Sequence, residues 1–195
     1  EGSIFVAGVA IQWLRDQLGL IEHAAETADA FARTQGETHG VYVVPAFTGL
    51  GAPYWQPQAR GLITGLTLDS DKDHLITAFL QSVAYQTRTL LDAMAADGAP
   101  VTTLRVDGGM VVNEAFCQFL CDVLDVPVQR PADVETTVRG AGVLAAIGAG
   151  LFADLQEAAA LWQLGQDFAP TMPTAKRQAL LAGYERAVLQ TLAAT

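Results

Sequence analysis

Helical periodicity alternating with short β-branched runs makes this chain an α/β domain. Composition agrees: of 195 residues, 51% are hydrophobic and 16% charged, enough apolar material for a core and too little charge for disorder. A third observation is local. From Val106 to Asn113 a strand-like run, an Asp-Gly-Gly turn and a helix-like run follow one another directly, the punctuation of a βα unit. No repeat, charge block or low-complexity linker interrupts the chain. Residues 1–195 are therefore expected to form one domain, with residues 153–195 as its helical tail.

The elements follow in order. Phe5, Ala7, Ala10, Ile11 and Leu14 recur at helical spacing, so Gly2 to Leu18 is expected to be a helix with one buried face. A more polar, alanine-rich helix follows over Ile21 to Thr34, and Gly36, Thr38 and Gly40 mark a turn. Val41-Tyr42-Val43-Val44, closed by Pro45, reads as a short strand. Phe47 to Pro57 holds too many Gly and Pro residues for a regular element and is expected to be a long ordered loop, after which Gly61 to Thr67 resumes strand character. Ser70 or Asp71 caps the strongest helix, whose period runs from Leu75 through Phe79 and Val83 to Met94 and stops near Gly98 and Pro100. Thr103 to Asp107 is a strand, Asn113 to Leu124 a second amphipathic helix, and Val126 to Arg130 another strand. Thr136 to Ala149 is a helix rich in small residues, and two more helices, Leu155–Leu164 and Ala175–Leu192, close the chain.

Charge excludes one class of function. With 21 acidic and 11 basic residues, a net −10, there is no cationic excess to displace counterions from nucleic acid. A small anion is still admissible, because backbone amides at a helix start can hold one locally. Cys117 and Cys121 lie four apart in a helical pattern, where a disulfide has poor geometry, and are expected to be reduced thiols of a cytoplasmic protein. His23, His39 and His74 are scattered, with no metal-ligand spacing. The longest apolar run, Ala141 to Phe152, is interrupted by glycines and is far short of the roughly 20 residues that span a bilayer. The chain starts at Glu1, without a signal peptide, and reads as part of something longer.

Candidate chemistry centres on Gly108-Gly109. A diglycine between strand and helix either makes a tight turn or lets the backbone approach phosphate oxygens; Asn113, just beyond, either caps the helix or contacts a nucleotide. Gly8 and Gln12, four apart on the first helix, present the same choice between close packing and close approach by a ligand. Gly140-Ala-Gly-Val-Leu-Ala145 matches a dinucleotide string but sits inside a helical pattern, where the glycines would serve packing against the sheet. Asp69, Asp71 and Asp73 alternate like a calcium loop but lack its Gly and distant Glu, so a solvated turn with an N-cap is expected.

Several long segments carry a resemblance. Gly40 to Trp55 (GVYVVPAFTGLGAPYW), Ala59-Arg-Gly61, Gly65-Leu-Thr67, Glu1-Gly2, Ala7-Gly8, Ile11 to Asp16, Ala84-Tyr-Gln-Thr-Arg88 and Leu104 to Gly109 closely resemble the glycerol kinases. The stretch from Gly61 to Gln81 is similar to a signature of the wider carbohydrate-kinase family, with Phe79 where a smaller residue is usual. The resemblance runs from Glu1 to about residue 190 and corresponds to the second half of such an enzyme. It implies an actin-like, ribonuclease-H-like ATPase domain with additional C-terminal helices, the nucleotide side of a two-domain kinase. Carried over by position, Gly8, Gln12, Gly109 and Asn113 contact ATP or ADP, while Ile11, Ala24 and Met110 lie near the adenine. Met110 stands where most relatives carry Ala, which reshapes the base pocket.

The implied reaction moves the γ-phosphoryl of ATP, with Mg²⁺, to glycerol. In the family the catalytic Asp and the glycerol-gripping residues lie upstream of Glu1, so no acidic residue here is expected to be the base; Asp107 is expected to shape the turn. The chain alone is expected to fold without kinase turnover, and its surface toward the missing domain to be apolar. Family members are commonly homo-oligomers, dimers or tetramers, with no nucleic-acid or membrane partner. A regulatory protein that docks on some bacterial relatives near Pro170–Ala179 is not expected to bind, because Pro173, Lys176 and Ala179 depart from its pattern. Two other readings stand beside this one: another sugar kinase, such as a pentulose kinase, which the Tyr54-Trp55 loop disfavours, and a non-catalytic actin-like module, which lacks the Pro45 to Arg60 segment.

Overall fold

The computed structural model describes residues 2–195; Glu1, which the expected domain includes, lies outside the described residues. Its axle is helix α3, Lys72–Ala96, which is buried without interruption from Ile76 to Tyr85. A helix surrounded on all sides must sit in the middle of a domain, and α1 (Gly8–Asp16), α2 (Glu26–Thr34), α4 (Glu114–Leu124), α7 (Thr174–Ala193) and strand β1 (Tyr42–Val44) all pack on it. Asp71 starts α3 with a reciprocal cap: its carboxylate accepts from the His74 N–H at 3.0 Å and the His74 ring accepts from the Asp71 N–H at 3.2 Å. Inside the core, Tyr85 donates to Gln81 and Gln81 donates to the Gly36 carbonyl.

Two small sheets flank this helical layer. β1 pairs antiparallel with β2 (Leu62–Thr64). The second sheet has the order β3-β4-β5, in which β3 (Leu104–Arg105) runs parallel to β4 (Val128–Pro131) and β4 antiparallel to β5 (Leu164–Phe168). Helix α4 crosses over between β3 and β4, so the expected βα punctuation is real. The remaining helices are α5 (Thr136–Gly148) and α6 (Leu155–Ala159).

Three helix boundaries differ by more than one turn from the periodicity reading, each for a tertiary reason. The first helix begins at Gly8 rather than Gly2, because the preceding segment is held non-helical by Gln86 of α3, which donates to the Val6 carbonyl at 3.2 Å. The second begins at Glu26 rather than Ile21. Its carboxylate reaches back to accept from the N–H groups of His23 and Glu22 at 2.7 and 2.9 Å, which satisfies these amides in a turn ahead of the helix. Leu164 does not end a helix but opens β5, so the tail over residues 153–195 contains a strand as well as helices. Gly165 is required there, since a Cβ would stand 2.7 Å from the Ala132 Cα and the Pro131 carbonyl.

Two further expectations change. Gly140 and Gly142 do not seat α5 against a sheet: a Cβ at either would meet nothing within 4 Å, and α5 buries no residue. Val138 and Leu144 on that helix are 71% and 61% exposed. Cys117 and Cys121 are free and buried, and burial pushes each thiol up to about 11. No helix among the described residues is long and apolar enough to cross a membrane.

Candidate functional site

Three chain segments converge above Leu80 of α3. Helix α1 contributes Ile11, the turn before α2 contributes Ala24 and Ala25, and the turn after β3 contributes Gly109, Met110 and Asn113; together they line a cleft of about 280 Å³. Each owes its place to local chemistry. The early back-capping by Glu26 keeps Ala24 and Ala25 out of α2 and on the rim, and holds the Glu26 carboxyl below the usual carboxylate range through the His23 and Glu22 N–H groups. Ile11 is buried on the inner face of α1. The diglycine turn owes its course to Gly108, whose φ of 87° and ψ of 179° suit glycine alone. Residues Gly109–Val112 then form one tight 3-10 turn, and Asn113 starts α4.

Asn113 performs two tasks. Its Oδ1 accepts from the Phe116 N–H at 3.1 Å, an N-cap that fixes the amide plane. Its Nδ2 is buried and has no hydrogen-bond partner among the described residues. A buried donor without an acceptor costs about 1–3 kcal/mol, so such groups are rare unless something else supplies the acceptor. The other lining side chains are nearly all apolar, and the Thr27 hydroxyl is already committed to the Ala24 carbonyl at 2.7 Å.

The sequence-selected residues are therefore largely brought together. Ile11, Ala24, Gly109, Met110 and Asn113 share the cleft, and Gly8 lies against Met110, where a Cβ would stand 3.8 Å from the Met110 sulfur. Helix α1 starts at Gly8 with no capping side chain and no acidic residue in its first turn, which leaves its amide end free to face a polar group. Gln12 is exposed one turn further along α1 and is not part of the lining. Asp107 is exposed and makes no hydrogen bond among the described residues; Gly108 sets the turn instead. Periodicity reasoning missed Ala25, Ala28, Leu80 and Val112, which also line the cleft and carry no motif of their own. It also missed Arg130, which stands behind the turn with its guanidinium on the carbonyls of Val111 and Val112 at 2.9 and 3.4 Å.

Comparison with known proteins agrees with this architecture. The family model for the C-terminal domain of the FGGY family of carbohydrate kinases matches residues 1–149. The chain is 55% identical over 188 residues to glycerol kinase 1 of Pseudomonas aeruginosa, and 54% identical over 191 residues to a glycerol kinase of Rhodospirillum centenum, covering 96% and 98% of its own length. It spans 38% of the length of each of these relatives. Among solved structures, a Plasmodium falciparum glycerol kinase with ADP superposes on 98% of the chain with a TM-score of 0.86 at 33% identity, again 38% of that protein. A xylulose kinase of Rhodospirillum rubrum superposes on 95% of the chain with a TM-score of 0.76 at 27% identity.

Proposed function

The chain belongs to the FGGY family of carbohydrate kinases, and from that premise we propose that it is the nucleotide-binding part of an enzyme that transfers the γ-phosphoryl of ATP to glycerol, giving glycerol 3-phosphate. The identity of 55% to a glycerol kinase over nearly the whole chain supports the choice of acceptor. The observation that carries the nucleotide reading is the unpartnered Asn113 Nδ2 in an otherwise apolar cleft beside a diglycine turn. Apolar walls with one convergent donor suit a flat heterocycle that ends in phosphates.

On this reading Ile11, Ala24 and Met110 flank the base, and Asn113 donates to the nucleotide. The Gly109 backbone approaches the phosphates. Gly8 leaves room at the start of α1, and Gln12 meets the nucleotide from the next turn. Mg²⁺ enters as part of the MgATP substrate, an ion that keeps waters and phosphate oxygens in its shell. Phosphoryl transfer also needs a carboxylate to accept the hydroxyl proton. No residue of this chain is assigned that role, so the chain alone is expected to bind nucleotide without turning over. As the resemblance implies, the working enzyme is a cytoplasmic homo-oligomer, a dimer or a tetramer.

The test is calorimetric titration of the chain with MgADP and MgATP, repeated on Gly109→Asp. A Cβ at Gly109 meets nothing within 4 Å, so the aspartate fits the fold while placing a carboxylate beside the phosphates. Binding by the wild type and its loss in the variant is the expected result. Equal binding by both would overturn the assignment of the turn, and absence of binding by a folded wild-type chain would overturn the claim that this part carries the nucleotide site unaided.

A further inference from the structure

Arg130 sits on β4, behind the diglycine turn, and is tied to three different elements. Its Nη1 donates to the carbonyls of Val111 and Val112, and its Nη2 donates to Glu114 Oε1 at 3.0 Å and Gln166 Oε1 at 2.8 Å. The side chain is 16% exposed, with the guanidinium 6.0 Å from the Phe168 ring. The carbonyls it holds belong to the last two residues of the turn that begins with Gly109 and Met110. A cation at the carbonyl end of a turn favours the orientation in which the N–H groups point out of the opposite end. Val111 also accepts from the Cys117 thiol at 3.2 Å, a weak donor that cannot replace a guanidinium. By contrast the Glu114 carboxylate is 61% exposed and free to leave, so that ion pair adds little.

From this arrangement we infer that Arg130 is the positioning residue of the nucleotide site: it fixes the Gly109–Val112 turn in the form that receives phosphate, without touching the ligand. The inference rests on the nucleotide reading given above. It assigns the affinity for the phosphate end of the ligand to a residue 21 positions beyond Gly109, on a strand that contributes nothing to the cleft lining. Lysine is no substitute, because one ammonium cannot reproduce the fork that reaches the turn carbonyls and Gln166 together.

The test uses the chain with Arg130→Met, Arg130→Lys and Gln166→Leu, read by amide hydrogen exchange and by titration with ADP and with adenosine. In Arg130→Met, exchange of the amides of residues 110–113 is expected to rise roughly tenfold, the scale of one lost charge-assisted hydrogen bond, while amides at Leu80 and Tyr85 in α3 keep their wild-type rates. ADP affinity is expected to fall by a similar factor, roughly tenfold, through lost preorganisation, with adenosine affinity changed less than about twofold. Arg130→Lys should lie between, and Gln166→Leu should leave the turn and ADP affinity near wild type. If Arg130→Met leaves turn exchange unaltered, or raises exchange in α3 equally, or weakens ADP and adenosine alike, the positioning role is refuted. Should Arg130→Met fail to fold, wild-type turn exchange and ADP affinity in Arg130→Lys would refute it as well. A folded wild-type chain that binds neither ligand overturns the claim that this part carries the nucleotide site unaided and leaves no affinity for Arg130 to set, whereas faster exchange confined to the turn would still locate the tether at Arg130.

Discussion

Replacing Asn113 by serine separates two tasks that one amide performs. Serine caps a helix about as well as asparagine, so loss of the bond from Oδ1 to the Phe116 N–H is made good, and removal of the unpartnered donor should raise stability by up to about 1–3 kcal/mol. What serine removes is the buried Nδ2, which has no partner among the described residues. That donor is already out of water in the free chain, so a ligand acceptor gains its bond without a further desolvation cost. The expected contribution is at the upper end for a hydrogen bond, about 1–3 kcal/mol, or roughly 5-fold to 150-fold in ADP affinity. Relative to Asn113→Ser, Asn113→Ala loses the cap as well, about 1 kcal/mol, which for a chain of this size lowers the melting temperature by about 2–4 °C. Calorimetric titration with ADP and thermal melts on both variants give the two quantities separately. If Asn113→Ser binds ADP as the wild type does, or loses as much stability as Asn113→Ala, the division of labour assigned to this amide is wrong.

The two glycines of the turn should respond differently to alanine. Gly108→Ala forces a side chain into φ 87°, ψ 179° and should lower urea stability by about 1–3 kcal/mol, whereas Gly109→Ala, with open space around its Cβ, should cost well under half of that. Met110→Ala withdraws the sulfur that stands against Gly8 and should relax discrimination between ADP and GDP, measured as the ratio of their dissociation constants; an unchanged ratio would remove Met110 from the base pocket. Burial raises both thiols from an ordinary 9.0 to about 11, so the unfolded chain loses those protons first as pH rises. Stability should therefore be intact below about pH 9 and fall between pH 9 and 11, and a Cys117→Ala/Cys121→Ala chain should lose this part of the slope.

Much of the architecture was legible because it is decided over short distances. The period of Leu75, Phe79 and Val83 marks α3, Asp71 marks its start, and the strand, diglycine, helix order marks the β3 to α4 passage with Asn113 as its cap. Leu164-Gly-Gln-Asp-Phe168 has no alternation that announces a strand; it becomes one because β4 offers it an edge, with Arg130 opposite Gln166. The early residues to Val6 carry a helical pattern that a bond from Gln86 overrides. Arg130 itself is one charged residue at the end of a strand, and nothing nearby in sequence indicates the two carbonyls that it holds.

The sequence by itself determined the kinds of element and their order, because hydrophobic period, caps and turn residues act within a few positions along the chain, and its resemblance to the glycerol kinases added the family and, around the cleft, Ile11, Ala24 and Met110. Only the tertiary structure decided where α1 and α2 begin, that β5 exists, that α5 buries no residue, and that Ala24, Leu80 and Met110 face one another across a single cleft. These depend on which distant groups supply acceptors and contact surface, and a local pattern carries no record of its distant partners.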